Sequence, residues 1–334
     1  MAYDIIGDIH GQAEKLEALL SELGYRNTFG AYRHPDPNRT VIFVGDFIDR
    51  GPRQIDTVNI VRKMVDAGTA KAVMGNHELN AISWHTAHPN NLGEYLRPHH
   101  GNKGANNRHQ HSAFLLEVEN HPKIHAEIID WFLTLPLWLD LPDLRVVHAC
   151  WHQKIMTLMK PLLTPDFRLT KEAMLVAGLH GTKEFKLVEI ITKGLETDLP
   201  NGLRYLDGDG TERHSVRIRW WDEQSTTYRD LAIMPKGDDE SQLPLLDVPK
   251  ESHPIYDHSK PLFFGHYWMI GAPQIINSSM ACVDYSAARN ECPLVAYRWD
   301  GEKSLRENKF LAIPEPKQKV KKAPALKRDS TPSM

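Results

Sequence analysis

Residues 45–51 read GDFIDRG and follow directly on the β-branched, apolar run VIFV at residues 41–44. The same arrangement occurs on both sides of this stretch. An apolar run ends in GDIHG at residues 7–11, and another ends in GNHE at residues 75–78. Apolar runs of this length predict buried strands. The three strands are predicted at Tyr3–Ile9, Thr40–Ile48 and Ala70–Met74.

The segments between these runs have helical periodicity. Residues 12–23 place Leu16, Leu19, Leu20 and Leu23 on one face, which predicts a helix. Residues 55–65 repeat the pattern with isoleucine and valine. Strands that alternate with helices and short links form parallel sheets with right-handed crossovers. Ligands bind at the carboxyl edge of such sheets, and the polar clusters lie at that edge.

Two later strand-like runs also end in polar residues. His148 ends the run LRVVH, and His266 follows the run PLFFG. Several carboxylates buried together without partners would be very costly. Mixed with imidazole and amide groups, they are good ligands for divalent metals. A carboxylate shared by two ions is the usual geometry of a two-metal hydrolytic site.

The order of these five clusters resembles that of the calcineurin-like metallophosphoesterases. The resemblance covers about residues 1–150 and 261–300 and is strongest to the branch of phosphoprotein phosphatases and symmetrical diadenosine tetraphosphatases; the opening AYDIIGDIHG looks like the PrpE-type members. It implies an α/β fold, a sandwich of mixed β-sheets flanked by helices. We expect a core at 1–150 and 261–313, an α+β insertion or lid at 151–260, and a disordered basic tail at 314–334.

The resemblance also implies two divalent metal ions, with Mn²⁺ favoured and Fe or Zn²⁺ compatible with the ligand types. The first metal would take Asp8 and His10, and Asp46 would bridge the two ions. The second metal would take Asn76, His148 and His266.

The resemblance further assigns catalytic roles. His77 would protonate the leaving oxygen, Asp49 would orient His77, and Arg50 would hold the phosphoryl oxygens. A hydroxide bridging the metals would attack phosphorus directly, without a covalent phosphoenzyme. Phosphatases of this branch carry a second arginine, and Arg217 and Arg219 are the candidates because both lie on one predicted strand face. The alternative is a solvated strand face over two tryptophans.

Two departures from the family pattern concern the pocket. Trp268 stands where many members have a second histidine, and the phosphoprotein phosphatase branch also lacks that histidine. Residues 149–152 read ACWH where the eukaryotic phosphatases have glycines. We expect Cys150 to pack beneath its strand and His152 to lie at the surface.

Composition limits the remaining possibilities. The 334 residues include 40 Lys and Arg against 43 Asp and Glu, and 41 % are hydrophobic, as in soluble domains. The near-neutral charge argues against nucleic-acid binding as the main task, although residues 314–334 carry six basic and two acidic side chains. No apolar run is long enough to span a membrane, the N-terminus lacks signal-peptide features, and three scattered cysteines indicate a reducing, cytoplasmic compartment.

We therefore expect a phosphatase that hydrolyses phosphomonoesters, including phosphoproteins. A symmetrical diadenosine tetraphosphate hydrolase is the alternative, for which Trp220, Trp221 or aromatic residues at the rim would supply an adenine platform. A nucleic-acid end phosphatase and a non-catalytic scaffold are further alternatives. The histidine- and asparagine-rich residues 81–125 are expected to cap loops and line the pocket rim, and Arg97 to be able to contact a substrate.

Overall fold

The structure is a computed structural model that describes residues 1–206, 212–234, 240–289 and 291–314, apart from the side chain of Glu251. Its α-helices are α1 (Ala13–Glu22), α2 (Gln54–Asp66), α3 (Asn76–His85), α4 (Gly101–Gln110), α5 (Ser112–Val118), α6 (Pro122–Phe132), α7 (Gln153–Met159), α8 (Lys171–Gly178), α9 (Lys183–Lys193) and α10 (Tyr228–Leu231). Its strands are β1 (Ala2–Ile6), β2 (Arg26–Thr28), β3 (Ala31–Arg33), β4 (Arg39–Phe43), β5 (Ala70–Ala72), β6 (Trp138–Asp140), β7 (Arg145–Val147), β8 (Glu196–Asp198), β9 (Tyr205–Leu206), β10 (Glu212–Arg213), β11 (Ser215–Arg217), β12 (Leu262–Phe264), β13 (Met280–Cys282), β14 (Leu294–Trp299) and β15 (Phe310–Ile313).

Two larger sheets contain the strands that precede the polar clusters. The first has the order β15-β14-β1-β4-β5, and β1, β4 and β5 are parallel, with Ile6 paired to Phe43. The second has the order β13-β12-β7-β6, and β13, β12 and β7 are parallel. Antiparallel strands complete both sheets, so both are mixed.

Hydrophobic side chains that alternate along the strands pack on both faces of each sheet. Some lie between the two sheets, and the others face the helices. In β4, Ile42 packs between the two sheets, whereas Val41 and Phe43 face the helices. In β12, Phe263 packs between the sheets and its neighbours Leu262 and Phe264 face outward. Because successive strand residues point to opposite faces, each sheet is buried on both sides. The predicted α/β sandwich with flanking helices is confirmed.

The amphipathic helices form where their periodicity predicts them. Helix α1 buries Ala13, Leu16, Leu19 and Leu20. The first three predicted strands are shorter than expected, since each ends several residues before its polar cluster. Those last residues form the turns that carry the site.

The segment 151–260, the predicted insertion, contains both helices and short strands. Strands β9 and β10 pair antiparallel, and β11 pairs with β8. Residues 207–211 lie outside the described residues, as do 315–334 of the predicted tail. Trp220 and Trp221 pack on Phe264 of β12, with ring centroids 5.1 and 5.2 Å away. The division into core and insertion stays a prediction.

Across the described residues, no helix is both long and apolar enough to cross a membrane.

Candidate metal centre and catalytic cleft

The carboxyl ends of the parallel strands of both sheets converge on one group of buried polar side chains. Asp8 follows β1, Asp46 follows β4, and Asn76 begins α3 just after β5. From the second sheet, His148 follows β7 and His266 follows β12. The structure thus brings together the residues for which metal ligation was predicted.

Left-handed backbone conformations aim several of these side chains into the centre. The residues with such φ angles are His10 (49°), Asp46 (53°), Asp49 (71°), Arg50 (71°) and His266 (73°). A non-glycine residue in this region stores strain of roughly 1–3 kcal/mol, which persists only where surrounding structure imposes it. Their concentration here is typical of a functional site.

Asp46 lies at the middle of the group. Its Oδ2 is 3.7 Å from Nε2 of His10, and its Oδ1 is 3.4 Å from Nε2 of His148. Its Oδ1 also accepts a hydrogen bond of 3.0 Å from the backbone N–H of His77. Burial would raise the pKa of Asp46, but the imidazoles of His148 and His77 hold the pKa well below its ordinary value.

Backbone carbonyls fix the orientation of two imidazoles. Nδ1 of His10 is 2.8 Å from the carbonyl oxygen of Ile48, and Nδ1 of His148 is 2.7 Å from that of Val44. When the proton is on Nδ1, the lone pair of Nε2 is free and directed at Asp46. This is the usual arrangement of a metal-binding histidine.

The pKa values of these two histidines move in opposite directions. Burial and the nearby Arg50 lower the pKa of His10 to about 3. Burial would also lower the pKa of His148, but the Asp46 carboxylate raises it to about 10. A proton on His148 and a metal ion would therefore compete for the same electron pair.

The donor atoms fall into two groups that share Asp46. The first comprises His10, Asp46 and His77, and the second comprises Asp46, His148 and His266, with the ligand atoms of each group within 4.8 Å of one another. Asn76 adds an amide oxygen 3.2 Å from Nε2 of His148. The donors suit two divalent ions, one on each side of Asp46.

Asp8 supplies an independent test of that fit. Its Oδ2 accepts the backbone N–H of His266 at 3.1 Å, but its buried Oδ1 has no hydrogen-bond partner. Burial and the charge of Asp284 raise the pKa of Asp8 well above its ordinary value. An unpartnered buried carboxylate oxygen is costly, and a cation at this position removes the cost.

Two glycines make room for the carboxylates. A Cβ at Gly75 would collide with Oδ1 of Asp46, and a Cβ at Gly265 would collide with Oδ1 of Asp8. Both glycines belong to the short motifs that the sequence shows before Asn76 and His266. Their lack of a side chain is therefore a requirement of the centre.

A second set of side chains lies beside the donors. Nδ1 of His77 is 2.5 Å from Oδ2 of Asp49, as the sequence predicts, and its Nε2 is 3.8 Å from Asp46. Asp49 has a second partner, since Nδ1 of buried His111 lies 2.7 Å from its Oδ1. Burial would raise the pKa of Asp49, but the hydrogen bonds from His111 and His77 hold the pKa below its ordinary value.

Sequence reasoning gave no role to His111, Glu78 or Asp284. The Glu78 carboxylate accepts the backbone N–H groups of Asp46, Phe47 and Gly75 at 2.8–3.0 Å and so fixes the turn that carries Asp46. Burial and the Asp46 charge raise the pKa of Glu78 to about 7. Asp284 accepts the backbone N–H of Trp268 at 2.9 Å.

The sequence did contain a signal for Asp284, because this residue follows the apolar run of β13 as Asp8 follows that of β1. His111 had none, because it is one of many histidines in residues 81–125.

The arginines separate into two kinds. Nη1 of Arg50 is 3.1 Å from Nε2 of His10, and Nη1 of Arg217 is 3.3 Å from Nε2 of His266. Arg219 instead contacts the carbonyl of Asp230 at 3.1 Å and the carboxylate of Glu240 at 3.4 Å. Arg217 therefore contacts a metal-type donor, whereas Arg219 pairs with Glu240, and the assignment of either as the second phosphate-binding arginine stays a prediction.

These side chains line an open cleft of about 860 Å³. Its walls include Asp49, Arg50, Asn76, His77, Arg97, His111, Arg217, His266 and Trp268. Trp268 is 42 % exposed, and the Arg50 guanidinium lies 5.1 Å from the centre of its ring. The cleft therefore has a cationic wall beside the metal-type donors, a suitable setting for a phosphate group.

Three further expectations can be compared with the structure. Trp220 and Trp221 are 1 % and 8 % exposed, so packing against the second sheet excludes them as an adenine platform. His152 is buried, not at the surface, and it is the residue that precedes α7. Cys150 is fully buried, and burial raises the pKa of its thiol well above the ordinary value.

Comparison with known proteins agrees with this geometry. Residues 1–160 match the sequence model of the calcineurin-like phosphoesterase family. This part of the chain is thus similar to the calcineurin-like phosphoesterases. A bis(5'-nucleosyl)-tetraphosphatase PrpE (asymmetrical) of Oceanobacillus iheyensis is 33 % identical over 149 residues, which are 45 % of this chain and 55 % of the relative.

Other relatives match less of their own length. A symmetrical bis(5'-nucleosyl)-tetraphosphatase of Shewanella sp. is 30 % identical over 152 residues, 45 % of this chain and 44 % of the relative. The PrpE of Bacillus subtilis is 42 % identical over 77 residues, 23 % of this chain and 31 % of the relative. The chain thus spans about half or less of the curated relatives that it matches.

The solved structures that match the chain are more distant in sequence. A cold-active protein-tyrosine phosphatase of a psychrophilic Shewanella has a TM-score of 0.47 and 15 % identity, covering 93 % of this chain and 80 % of that one. A protein serine/threonine phosphatase from Saccharomyces cerevisiae has a TM-score of 0.44 and 13 % identity, covering 93 % and 78 %.

Proposed function

We propose that the chain is a metal-dependent phosphatase that hydrolyses phosphate monoesters. The supporting observation is the shared carboxylate of Asp46, which has imidazole donors on both sides, 3.7 Å away at His10 and 3.4 Å away at His148. Few structural roles would place so many buried ionisable groups together.

The proposed ligands are those that the sequence indicates. Asp8 and His10 would hold one ion, Asn76, His148 and His266 the other, and Asp46 would contact both. When bound, such ions polarise phosphoryl oxygens and lower the pKa of water. Mn²⁺ is the proposed metal because oxygen donors stand beside imidazoles and no thiolate is among the donors, although Fe and Zn²⁺ also fit.

The chain's own groups would perform the remaining tasks. Arg50 and Arg217 both line the cleft, next to His10 and His266 respectively, and would bind the phosphoryl oxygens. His77 would give a proton to the leaving oxygen from Nε2, while Asp49 holds its Nδ1. The lowered pKa of Asp49 keeps its carboxylate negatively charged, and this carboxylate would hold the ring of His77 in position.

A second candidate activity is hydrolysis of dinucleoside polyphosphates, which two of the matched relatives carry in their names. The volume of the cleft is compatible with this activity, since about 860 Å³ exceeds what one phosphate group fills.

Turnover of p-nitrophenyl phosphate by the chelator-treated chain, re-supplied separately with Mn²⁺, Fe²⁺ and Zn²⁺, tests the proposal. We expect activity to return with bound metal, approaching two ions per chain. A folded chain that turns over neither this ester nor a dinucleoside polyphosphate with any of these metals would support the scaffold alternative.

A further inference from the structure

A small pocket of about 200 Å³ lies beside the catalytic cleft and shares Arg50 and Trp268 with it. Its other lining residues are Ser286, Ala288 and Arg289, from the turn that follows β13. Because Arg50 and Trp268 line both spaces, a group attached to a ligand in the cleft can reach the pocket without entering the protein core.

Hydrogen bonds fix the walls of this pocket. The two oxygens of Asp284 accept the backbone N–H groups of Trp268 and Ser286, each at 2.9 Å. Both of these residues have left-handed φ angles, 48° and 63°. On the other side of the turn, Nζ of Lys15 in α1 donates to the carbonyl oxygen of Ala287 at 2.6 Å. The pocket is therefore formed before a ligand binds.

Three polar groups that line the pocket lack partners. The side chain of Arg289 is exposed and forms no ion pair or hydrogen bond with any residue that the structure describes. Arg50 places Nη1 beside His10, and its other N–H groups have no hydrogen-bond partner in the described part of the chain. Ser286 is 5 % exposed, and its Oγ is buried without a partner. A buried hydroxyl without a partner is costly, and an anion would accept from it and from both guanidinium groups.

The charges around the pocket favour a monoanion. Arg50 and Arg289 bring two positive charges, while the buried Asp284, whose oxygens accept two N–H groups, brings one negative charge. A carboxylate balances the remaining positive charge, whereas a phosphate dianion exceeds it. The planar fork of a guanidinium also matches the two oxygens of a carboxylate.

We infer that this pocket binds a carboxylate carried by the alcohol part of the phosphate monoester. Arg289 and Ser286 hold the carboxylate, and Arg50 lies between it and the phosphoryl group in the cleft. The inference rests on the proposed phosphatase function and narrows its substrate to carboxylated phosphate monoesters. Such a carboxylate occurs in small phosphorylated acids and in acidic side chains beside a phosphorylated residue.

Matched pairs of substrates test the pocket by turnover. In one arm, alkyl phosphates of increasing chain length end in a carboxylate or in the isosteric carboxamide. In the other arm, phosphoserine peptides carry aspartate or asparagine beside the phosphoserine. We expect kcat/KM to favour the carboxylate by about tenfold or more in one arm, as a charge-assisted hydrogen bond predicts. The arm that shows the preference identifies the source of the carboxylate.

Variants of the pocket connect this preference to its residues. Arg289→Gln should remove the preference for the carboxylate, and Ser286→Ala should reduce it. Arg306→Gln, which changes an exposed arginine that lines neither space, is the matched control and should keep the wild-type ratio. Equal kcat/KM for both members of every pair in the wild type, or a preference that persists in Arg289→Gln, would overturn the inference.

Direct binding provides a readout that does not need turnover. Alkyl phosphonates that end in a carboxylate or a carboxamide are not hydrolysed and can be titrated by calorimetry into the chain supplied with Mn²⁺. The wild type should bind the carboxylate about tenfold more tightly, and Arg289→Gln should lose this difference. Equal affinities in the wild type, with normal turnover of the esters, would overturn the inference and leave the proposed function standing. The expected difference in affinity without turnover of any ester would instead count against the proposed function.

Discussion

The candidate centre is assembled from two regions that differ in how their residues reach it. The first 80 residues supply Asp8, Asp46 and His77 from turns at the ends of β1, β4 and β5, within short motifs flanked by glycine. The second region contributes single residues, His111, His148 and His266, each from a different and distant part of the chain. The first half of the centre is therefore built locally, and the second half depends on long-range packing.

The two halves meet at one carboxylate, so its removal should affect both. Asp46→Asn should abolish turnover and lower the number of bound ions, because loss of the shared ligand removes several kcal/mol of electrostatic stabilisation, at least about 10³-fold in kcat. Metal content and kcat for p-nitrophenyl phosphate measure the effect. Asp130→Asn, on exposed α6, is the control. Normal turnover with two bound ions would contradict the shared role.

Substitution of His77 tests the half of the centre that is supplied by the first 80 residues. His77→Asn should lower kcat about 10²–10⁴-fold for an alkyl phosphate, because such a leaving group needs a proton. The loss should be much smaller for p-nitrophenyl phosphate, whose leaving group hardly needs one. Steady-state rates on both esters provide the measurement. An equal loss on the two esters would remove His77 from the general-acid role.

In the half of the centre that depends on long-range packing, two arginines can be compared as a matched pair. Arg217→Ala should lower kcat/KM about 10- to 100-fold, because one charge-assisted hydrogen bond to the phosphoryl group is worth about 1.5–3 kcal/mol. Arg219→Ala should change it little, since Arg219 pairs with Glu240 outside the cleft. Inhibition by inorganic phosphate should weaken only in Arg217→Ala. Similar losses in both variants would contradict the assignment of Arg217 alone.

His111 contributes from the long-range half without contacting the donors, and it positions Asp49. His111→Phe should lower kcat by about tenfold, in line with the loss of an outer-shell partner. The loss should be larger for the alkyl phosphate than for p-nitrophenyl phosphate, since Asp49 acts through His77. If both substrates lose equally, His111 has only a structural role.

The smallest expected effect is on the pH dependence of the free energy of unfolding, through His125 in the packing around His111. Burial lowers the pKa of His125 to about 4, and its ring lies 5.6 Å from that of Phe114, which contacts His111. A lowered folded-state pKa means that this contribution to stability is fully present above about pH 6.5 and is lost as the pH falls through 4. His125→Gln should therefore show a smaller decrease in the free energy of unfolding between pH 7 and pH 4.5. Urea unfolding at both values, with exposed His121→Gln as control, checks this.

The two regions also explain what the sequence could predict. Motifs such as GDIHG and GNHE combine a strand, a glycine and a ligand-type residue within a few positions, so the carboxyl edge of the first sheet and the candidate donors Asp8, Asp46 and Asn76 could be predicted directly. His148 and His266 could be read because each ends an apolar run. The role assignments themselves, like the division into core and insertion, stay predictions.

Long-range packing accounts for what the sequence did not reveal. The partnership of His111 with Asp49 depends on how residues 81–125 fold back over α3, and local periodicity does not encode that contact. The different partners of Arg217 and Arg219 depend on tertiary contacts with His266 and Glu240, which alternation along the strand does not determine. The burial of Trp220 follows from tertiary contact with Phe264.

One indole connects the two long-range histidines. Nε1 of Trp220 donates to the carbonyl of Ala149 and lies equally near the hydroxyl of Tyr267, both at 3.0 Å. Those acceptors are the immediate neighbours of His148 and His266 along the chain. Deleting residues 151–260 to make a smaller domain would remove Trp220 and, with it, the hydrogen bonds that link these two backbone segments. A shortened variant would therefore need another contact between them.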